Sequence, residues 1–265
     1  RKGRYDSAYR LAADHRMFQA MSILDEDDEA AGDPPELESA SEETPNGASL
    51  PRRQRAQIAE AEFLAGWLAL RYLDRPGEAL DHFRRVHDVV NFPVSISRAG
   101  YWAGRAAEAR GDPVTASKWY QRAAAHSAFY YGQLALARLG QPLTLPNAAP
   151  PEISANDRAR FEADERVKAA RYLAPLNLQR PLRLLVAHMV ETADTPGLRQ
   201  LYLELGPSLN RPDASLTAAK RLARAGQMVI DAAYPVIEVP SHHRRRLPLI
   251  LAITRQESAF APSAV

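Results

Sequence analysis

The feature that most constrains the fold of this chain is a succession of helical apolar patterns separated by prolines and glycines. Beyond Pro51, apolar residues recur at intervals of three and four, as they do on the buried face of an α-helix. Pro76, Pro93 and Pro113 each stand at the start of such a pattern, where the first turn of a helix tolerates a proline. No segment alternates convincingly between apolar and polar residues, so the sequence predicts an all-α protein with negligible β-structure.

The same pattern predicts where the helices end. Gly140, Gly206 and Gly226 stand where C-terminal caps are expected, because glycine adopts the left-handed backbone that closes many helices. Prolines in the segment 234–240 favour an extended connector there. Besides one helix after each of the three prolines named above, the predicted helices cover residues 5–18, 52–73, 128–139, 157–173, 181–192, 196–205, 213–225 and 247 to about 257.

Part of the helical pattern repeats. Ala79 and Phe83 recur 37 residues later as Ala116 and Tyr120, and each pair follows one of the helix-starting prolines. Small and aromatic residues at fixed positions let paired helices approach and interlock, as in tetratricopeptide-like arrays, whose usual period is roughly 34 residues. We therefore expect a superhelical array of helix pairs.

Changes in composition divide the chain. Residues 25–50 combine an acidic run with several prolines, so they cannot bury enough apolar surface to become ordered, and we expect a mobile acidic loop. Residues 141–152 are rich in proline and alanine, which indicates a linker or a domain boundary. We expect an α-superhelical scaffold domain over 1–146, a helical linker domain over 147–240 and the beginning of another domain over 241–265.

Composition also excludes several classes of function. The 34 basic and 32 acidic residues give a net charge of +2, without the basic excess of a nucleic-acid-binding protein. The absence of cysteine excludes disulfides, thiol nucleophiles and cysteine metal sites. No stretch approaches the roughly 18 apolar residues of a transmembrane helix. The chain opens at Arg1 rather than Met, so the missing leader is uninformative about secretion.

One acidic residue occupies a chemically suggestive position. Glu257 follows Ile250 and Ile253 at helical spacing, on a face otherwise suited to burial. Burial disfavours the ionised carboxylate, so a glutamate there could stay protonated near neutral pH and donate a proton to a leaving group. The alternative from spacing alone is an acid at a helix end whose charge faces water.

Other residues are weaker candidates. The basic run at residues 242–246 could contact acidic peptides, but such runs more often form a solvated surface. His82 and His87 are five residues apart, the wrong spacing for shared metal ligation on a helix, so we expect no metal site. Three tryptophans could stack on sugars, but their helical spacing favours packing; they are Trp67, Trp102 and Trp119.

The residues around Glu257 resemble a known family. The segment 255–260, Arg-Gln-Glu-Ser-Ala-Phe, is similar to the first catalytic motif of the soluble lytic murein transglycosylases. Upstream segments resemble that family's superhelical and linking domains, in the expected order; they are residues 61–71, 98–107, 129–140, 219–226 and 233–235. The resemblance covers roughly residues 52–265.

The resemblance implies a fold, an activity and a site. It implies that 241–265 begins a lysozyme-like catalytic domain, that Glu257 is the sole catalytic acid and base, and that Ser258 lies beside it and contacts the substrate. The implied reaction cleaves the β-1,4 bond between N-acetylmuramic acid and N-acetylglucosamine in periplasmic peptidoglycan, without a cofactor, and leaves 1,6-anhydromuramic acid ends. The partner is the glycan strand.

One departure from the family is large. Its later cleft residues, beginning with a Gly-Leu-Met-Gln stretch, are missing because the sequence stops eight residues after Glu257, so we expect this chain alone to be inactive. Two rival functions remain: a helical-repeat binding protein without catalysis, and a hydrolytic muramidase, which needs a base to activate water.

Overall fold

The computed structural model describes residues 2–14, 52–145 and 149–261. These residues form 13 α-helices and one short 3₁₀ helix, with no strand among them, so the all-α prediction is confirmed. The expected acidic loop at 25–50 lies outside the described residues. The chain divides into two compact units, residues 1–144 and 145–265, and each is described by itself.

The first unit is a series of helices in which successive members pack together. Helix α2 packs against α1 and α3, and each helix from α3 to α5 packs against the next. Prolines open α3, α4 and α5 as predicted. The helices are α1 (Lys2–Ala13), α2 (Arg52–Tyr72), α3 (Pro76–Val89), α4 (Pro93–Ala109), α5 (Pro113–Ala124) and α6 (Tyr130–Arg138).

The sequence repeat corresponds to a repeated contact between helices. Phe83 of α3 lies against Gly66 of α2, and Tyr120 of α5 lies against Gly104 of α4. A Cβ atom added at Gly104 would fall 2.5 Å from the Tyr120 ring, and one at Gly66 would fall 2.9 Å from the Phe83 ring. Both rings are buried. Only glycine therefore allows each helix backbone to approach the aromatic ring of the next helix so closely.

The second unit has its core between three helices. Helices α9, α10 and α11 pack against one another, α8 against α9, α7 against α10, and α12 against α11. Leu182, Met189 and Tyr202 are among the buried residues between them. The elements are α7 (Ala155–Ala163), α8 (Glu165–Leu173), α9 (Gln179–Glu191), α10 (Pro196–Ser208), α11 (Pro212–Arg224), α12 (Ile230–Ala233), the 3₁₀ helix (Ser241–Arg246) and α13 (Leu247–Glu257).

The prediction of one helix over 157–173 is wrong, because the helix breaks at Asp164. This residue has extended backbone angles (φ −69°, ψ 117°) and caps α8 by accepting a hydrogen bond of 2.8 Å from the backbone N–H of Arg166. Its carboxylate also accepts a hydrogen bond of 2.6 Å from the Tyr202 hydroxyl. Apolar periodicity continues across the break, and the capping role of aspartate outweighs it locally.

The prediction that Gly206 caps a helix is also wrong. Gly206 is buried inside α10, and its N–H donates a hydrogen bond of 3.2 Å to Ser215 Oγ. The absence of a side chain therefore allows α11 to pack closely against α10 at this position. Helix α10 ends instead with Asn210 in the left-handed conformation at φ 54°, which asparagine tolerates. Gly140 and Gly226 do adopt left-handed backbone at helix ends, as predicted.

Replacing Gly104 by alanine tests the close contact between helix and ring. The added methyl group overlaps the Tyr120 ring, so we expect G104A to lower the free energy of unfolding by about 1–3 kcal/mol, measured by urea denaturation. Gly77→Ala is the matched control, since a Cβ atom added there would come no closer to another side chain than 3.9 Å, from the Arg110 Cδ atom, and alanine suits a helix better than glycine. Equal stabilities of the two variants would contradict the account.

Replacing Asp164 by asparagine tests the break between α7 and α8. Hydrogen bonds from Arg166 and Tyr202 lower the pKa of Asp164 to about 2, so the ionised form stabilises the fold above pH ~4 and this contribution is lost as the pH falls through about 2. We expect D164N to lose about 1–2 kcal/mol at pH 7 and to approach the wild type near pH 2. Asp231→Asn, which changes an exposed residue, is the control and should show no loss of stability with this pH dependence. A loss of stability in D164N that is the same at every pH would argue against the ionised cap.

Candidate functional site

The residues singled out by the sequence lie at the carboxyl end of α13. The helix begins at Leu247 and ends at Glu257, as predicted. It directly follows the 3₁₀ helix, which was not predicted from the sequence. Its capping residue is Ser258. Glu257 and Ser258 are therefore placed together at one helix end.

Arg255 connects α13 to the segment around α12. The Nε–H of Arg255 donates a hydrogen bond of 2.8 Å to the carbonyl oxygen of Ala233, the last residue of α12. The guanidinium also lies over the Tyr234 ring, 4.4 Å from its centroid, a favourable cation–π geometry. Since Ala233 is buried, Arg255 connects the end of α13 to the packed part of the second unit.

The expected burial around Glu257 is not found in the described residues. Glu257 is exposed, and Ile253 on the same side is 53% exposed. The described elements contact α13 mainly through the 3₁₀ helix and Arg255, so they leave most of this apolar side uncovered. Helical spacing identified which residues share a side but not whether anything covers them.

Ser258 closes the helix with its own polar groups. Its N–H donates to the Thr254 carbonyl oxygen at 3.1 Å, and its hydroxyl donates to the same oxygen at 2.9 Å. Ala259 and Phe260 then adopt left-handed backbone at φ 50° and 62°, which is strained for residues with a Cβ. The ring of Phe260 is buried, and this turn follows the cap of α13 at Ser258.

The arrangement offers an accessible carboxylate beside a hydroxyl. Glu257 forms no ion pair or hydrogen bond within the described part of the chain, so both oxygens are available to a ligand. Such a group can donate a proton to a bound ligand or accept one from it. In residues 2–14, 52–145 and 149–261, no group of three or more histidine, aspartate or glutamate side chains is arranged to hold a metal ion.

A buried polar cluster in the first unit was missed by sequence reasoning. His82 Nδ1 lies 2.5 Å from a Glu62 oxygen, and Arg85 Nε donates to the other Glu62 oxygen at 2.7 Å. The Tyr9 hydroxyl lies 3.0 Å from His82 Nε2 and donates to Glu78 at 2.7 Å. Burial and the Glu78 carboxylate raise the pKa of Tyr9 to about 12. The cluster joins α1 to α2 and α3, so it acts in packing.

The remaining candidates from the sequence are a basic run in the second unit and three tryptophans in the first. The basic run in the 3₁₀ helix is exposed, as expected for a solvated face. Trp119 is buried, and Trp67 and Trp102 pack against the same core, which confirms the packing interpretation. An open cleft of about 500 Å³ lies between α3 and α5, with Arg122 over the Trp119 ring; acidic and basic side chains are nearly balanced in its lining of Asp81, Arg84, Arg85, Asp88, Trp119 and Arg122.

Comparison with known proteins adds no assignment. No family model, curated protein or solved structure matches the chain. Within the described residues, no helix has the length and apolar character needed to span a bilayer. Any assignment of function therefore depends on the local sequence segments and on the chemistry available at Glu257.

Replacing Arg255 by alanine tests whether this residue holds α13 in place. The change removes the hydrogen bond to Ala233 and the contact with the Tyr234 ring. We expect amide hydrogen exchange in α13 to become about tenfold faster, because a charged hydrogen bond contributes about 1.5–3 kcal/mol and this one is only partly buried. Arg245→Ala, a change in the exposed 3₁₀ helix, is the control; equal exchange in both variants would show that Arg255 does not anchor the helix.

Proposed function

We propose that this chain is part of a lytic transglycosylase that cleaves peptidoglycan in the bacterial periplasm. The observation that carries the proposal is the segment 255–260, which resembles the family's catalytic motif and lies where α13 ends. Glu257 is exposed there, and Ser258 follows it as the helix cap. A carboxylate free of protein partners is suited to proton exchange with a substrate.

The proposed chemistry needs one carboxylic acid. Protonated Glu257 donates its proton to the oxygen that bridges N-acetylmuramic acid and N-acetylglucosamine, and the bond from that oxygen to the anomeric carbon breaks. The substrate's N-acetyl group stabilises the positive charge that develops at this carbon. The 6-hydroxyl of the muramic acid then bonds to the anomeric carbon and returns its proton to Glu257, so a 1,6-anhydro ring forms and no water is consumed.

A bound glycan would cover the side of α13 that the described residues leave exposed. Ile250 and Ile253 lie on the side of α13 that carries Glu257, and Ile253 is largely exposed. A sugar that covers this side excludes water from the carboxyl group and favours its protonated form. Ser258 would contact the same sugar, with its hydroxyl hydrogen directed to the Thr254 carbonyl and its oxygen lone pairs available as acceptors.

The helical units would then serve as the scaffold. We propose that the first unit is a tetratricopeptide-like superhelical array, supported by the repeated glycine–aromatic contacts, and that α13 begins a lysozyme-like domain. The apolar residues exposed on α13, Leu249 and Ile253, are consistent with a helix that packs against further parts of such a domain or against substrate. The scaffold would restrain glycan strands and position their ends.

Replacing Glu257 by glutamine in the complete protein tests the assignment. Glutamine keeps the size of the side chain but cannot exchange the proton, so we expect release of muropeptides from purified peptidoglycan to fall at least 100-fold. Mass spectrometry of the products should show anhydro ends for the wild type. Glu238→Gln is the control and should keep full activity.

Other outcomes would favour the rival functions. Reducing ends in the wild-type products indicate a hydrolytic muramidase. Binding to peptidoglycan without release of any fragment indicates a non-catalytic helical-repeat protein. Activity that survives E257Q would exclude Glu257 as the proton donor.

A further inference from the structure

The cleft between α3 and α5 in the first unit is lined by charged side chains from both helices. It has a volume of about 500 Å³ and is open to solvent. Four of the lining residues stand at helical spacing on α3, so they share one side of that helix. The lining residues are Asp81, Arg84, Arg85 and Asp88 of α3, and Trp119 and Arg122 of α5.

Ring contacts connect the two walls of this cleft. The His87 ring of α3 lies edge-on to the Trp119 ring of α5, with 5.2 Å between the ring centroids. The Arg122 guanidinium lies over the Trp119 ring, 4.4 Å from its centroid. Asp88 Oδ1 lies 3.8 Å from His87 Nδ1. A continuous series of contacts therefore joins Asp88 on one wall to Arg122 on the other.

A difference between the two sequence repeats leaves Arg122 without a carboxylate partner. Arg85 and Arg122 occupy corresponding positions, each two residues after the repeated aromatic residue. Arg85 Nε donates a hydrogen bond of 2.7 Å to Glu62, which stands four residues before the glycine of the first ring contact. The corresponding position before the second such glycine is Gly100, which has no side chain. Arg122 accordingly forms no ion pair with the described residues.

Asp88 is the negative group of the cleft that has no charged partner near neutral pH. Its closest basic group among the described residues is His87 Nδ1, at 3.8 Å. Burial lowers the pKa of His87, although Asp88 acts in the opposite direction, so the ring is neutral at pH 7. The other aspartate of the cleft, Asp81, lies 3.7 Å from Arg84. One anion and one cation of the cleft are therefore available to a ligand.

We propose that the cleft binds an α-amino-acid group, whose carboxylate contacts Arg122 and whose ammonium contacts Asp88, and that this group belongs to the peptide stem of peptidoglycan. The diamino acid of many such stems ends in an ammonium and a carboxylate on the same carbon. The identity of the ligand rests on the proposed function, whereas the site itself rests on the contacts in the cleft. The Trp119 ring holds the Arg122 guanidinium in place, so this group loses little conformational freedom when it binds a planar carboxylate.

The site would give the scaffold a binding role of its own. It belongs to the first unit and Glu257 to the second, so its loss affects the retention of glycan strands and not the proton transfer. Asp88 and Arg122 are both exposed, and an exposed ion pair adds little to affinity. We therefore expect millimolar binding of one amino-acid group, weak enough for a strand to be released.

Titration with glycine and with two singly charged analogues tests the site directly. Glycine carries both charges, N-acetylglycine only the carboxylate and glycinamide only the ammonium. We expect glycine to shift the indole N–H resonance of Trp119 in NMR spectra at constant ionic strength, and to bind about threefold more tightly than either analogue. Equal affinity for all three compounds, or no shift of this resonance with glycine, would overturn the site.

Two substitutions should each remove one of these preferences. Asp88→Asn should make glycine bind no more tightly than N-acetylglycine, and Arg122→Gln should make it bind no more tightly than glycinamide. Arg71→Gln, which changes an exposed arginine of α2 outside the cleft, is the control and should leave both preferences unchanged. All three side chains are exposed, so we expect the variants to fold, which urea denaturation verifies. Folded D88N and R122Q variants that keep both preferences, or a loss of either preference in R71Q, would contradict the assignment.

Sedimentation with peptidoglycan tests the identity of the ligand. The chain carrying E257Q should be retained better on native sacculi than on sacculi whose stem amines have been acetylated, and D88N should remove that difference. Glycine binding that depends on Asp88, together with equal retention on both kinds of sacculi, would show that the site takes free amino acids and would overturn the assignment to the peptide stem. Failure of the enzymatic proposal is recognised separately, by the absence of anhydro products from the complete wild-type protein.

Discussion

Close approach between helix backbones, made possible by glycine, recurs in both units. In the first unit, the rings of Phe83 and Tyr120 lie on the glycines of the preceding helices. In the second unit, Gly206 of α10 admits Ser215 of α11. A side chain at any of these glycines would separate two helices that share a buried core, and the lost packing would spread to their neighbours. The helix that carries Glu257 is attached to the second unit, so its position depends on this packing.

Much of the fold follows from local rules in the sequence. Prolines mark helix starts because the first turn needs no N–H donor at that position, and Gly140 and Gly226 mark helix ends because they adopt left-handed backbone. The wrong predictions occur where a tertiary contact, and not the local sequence, determines where a helix ends. The sequence pattern predicts a helix cap at Gly206, but the residue lies inside α10 where α11 packs against it. Asp164 breaks the helix despite a continuous apolar pattern, because its carboxylate accepts hydrogen bonds from Arg166 and Tyr202.

The candidate site was predictable in its location but not in its surroundings. The resemblance of the segment 255–260 selected Glu257 and Ser258, and the structure places them at the end of α13. Periodicity suggested that Glu257 faces a buried surface, yet the side chain is exposed, because no described element covers that side of the helix. The role of Arg255 also escaped sequence reasoning, because its hydrogen bond to the Ala233 carbonyl oxygen joins two residues that meet only after folding.

The central claim is that Glu257 moves a proton between two sugar oxygens without the participation of water. Digestion of peptidoglycan by the complete protein in water enriched with heavy oxygen tests this most directly. The account predicts fragments with anhydromuramic acid ends that carry no heavy oxygen from the solvent at the cleaved position. Fragments with reducing ends that contain the solvent's heavy oxygen would contradict it.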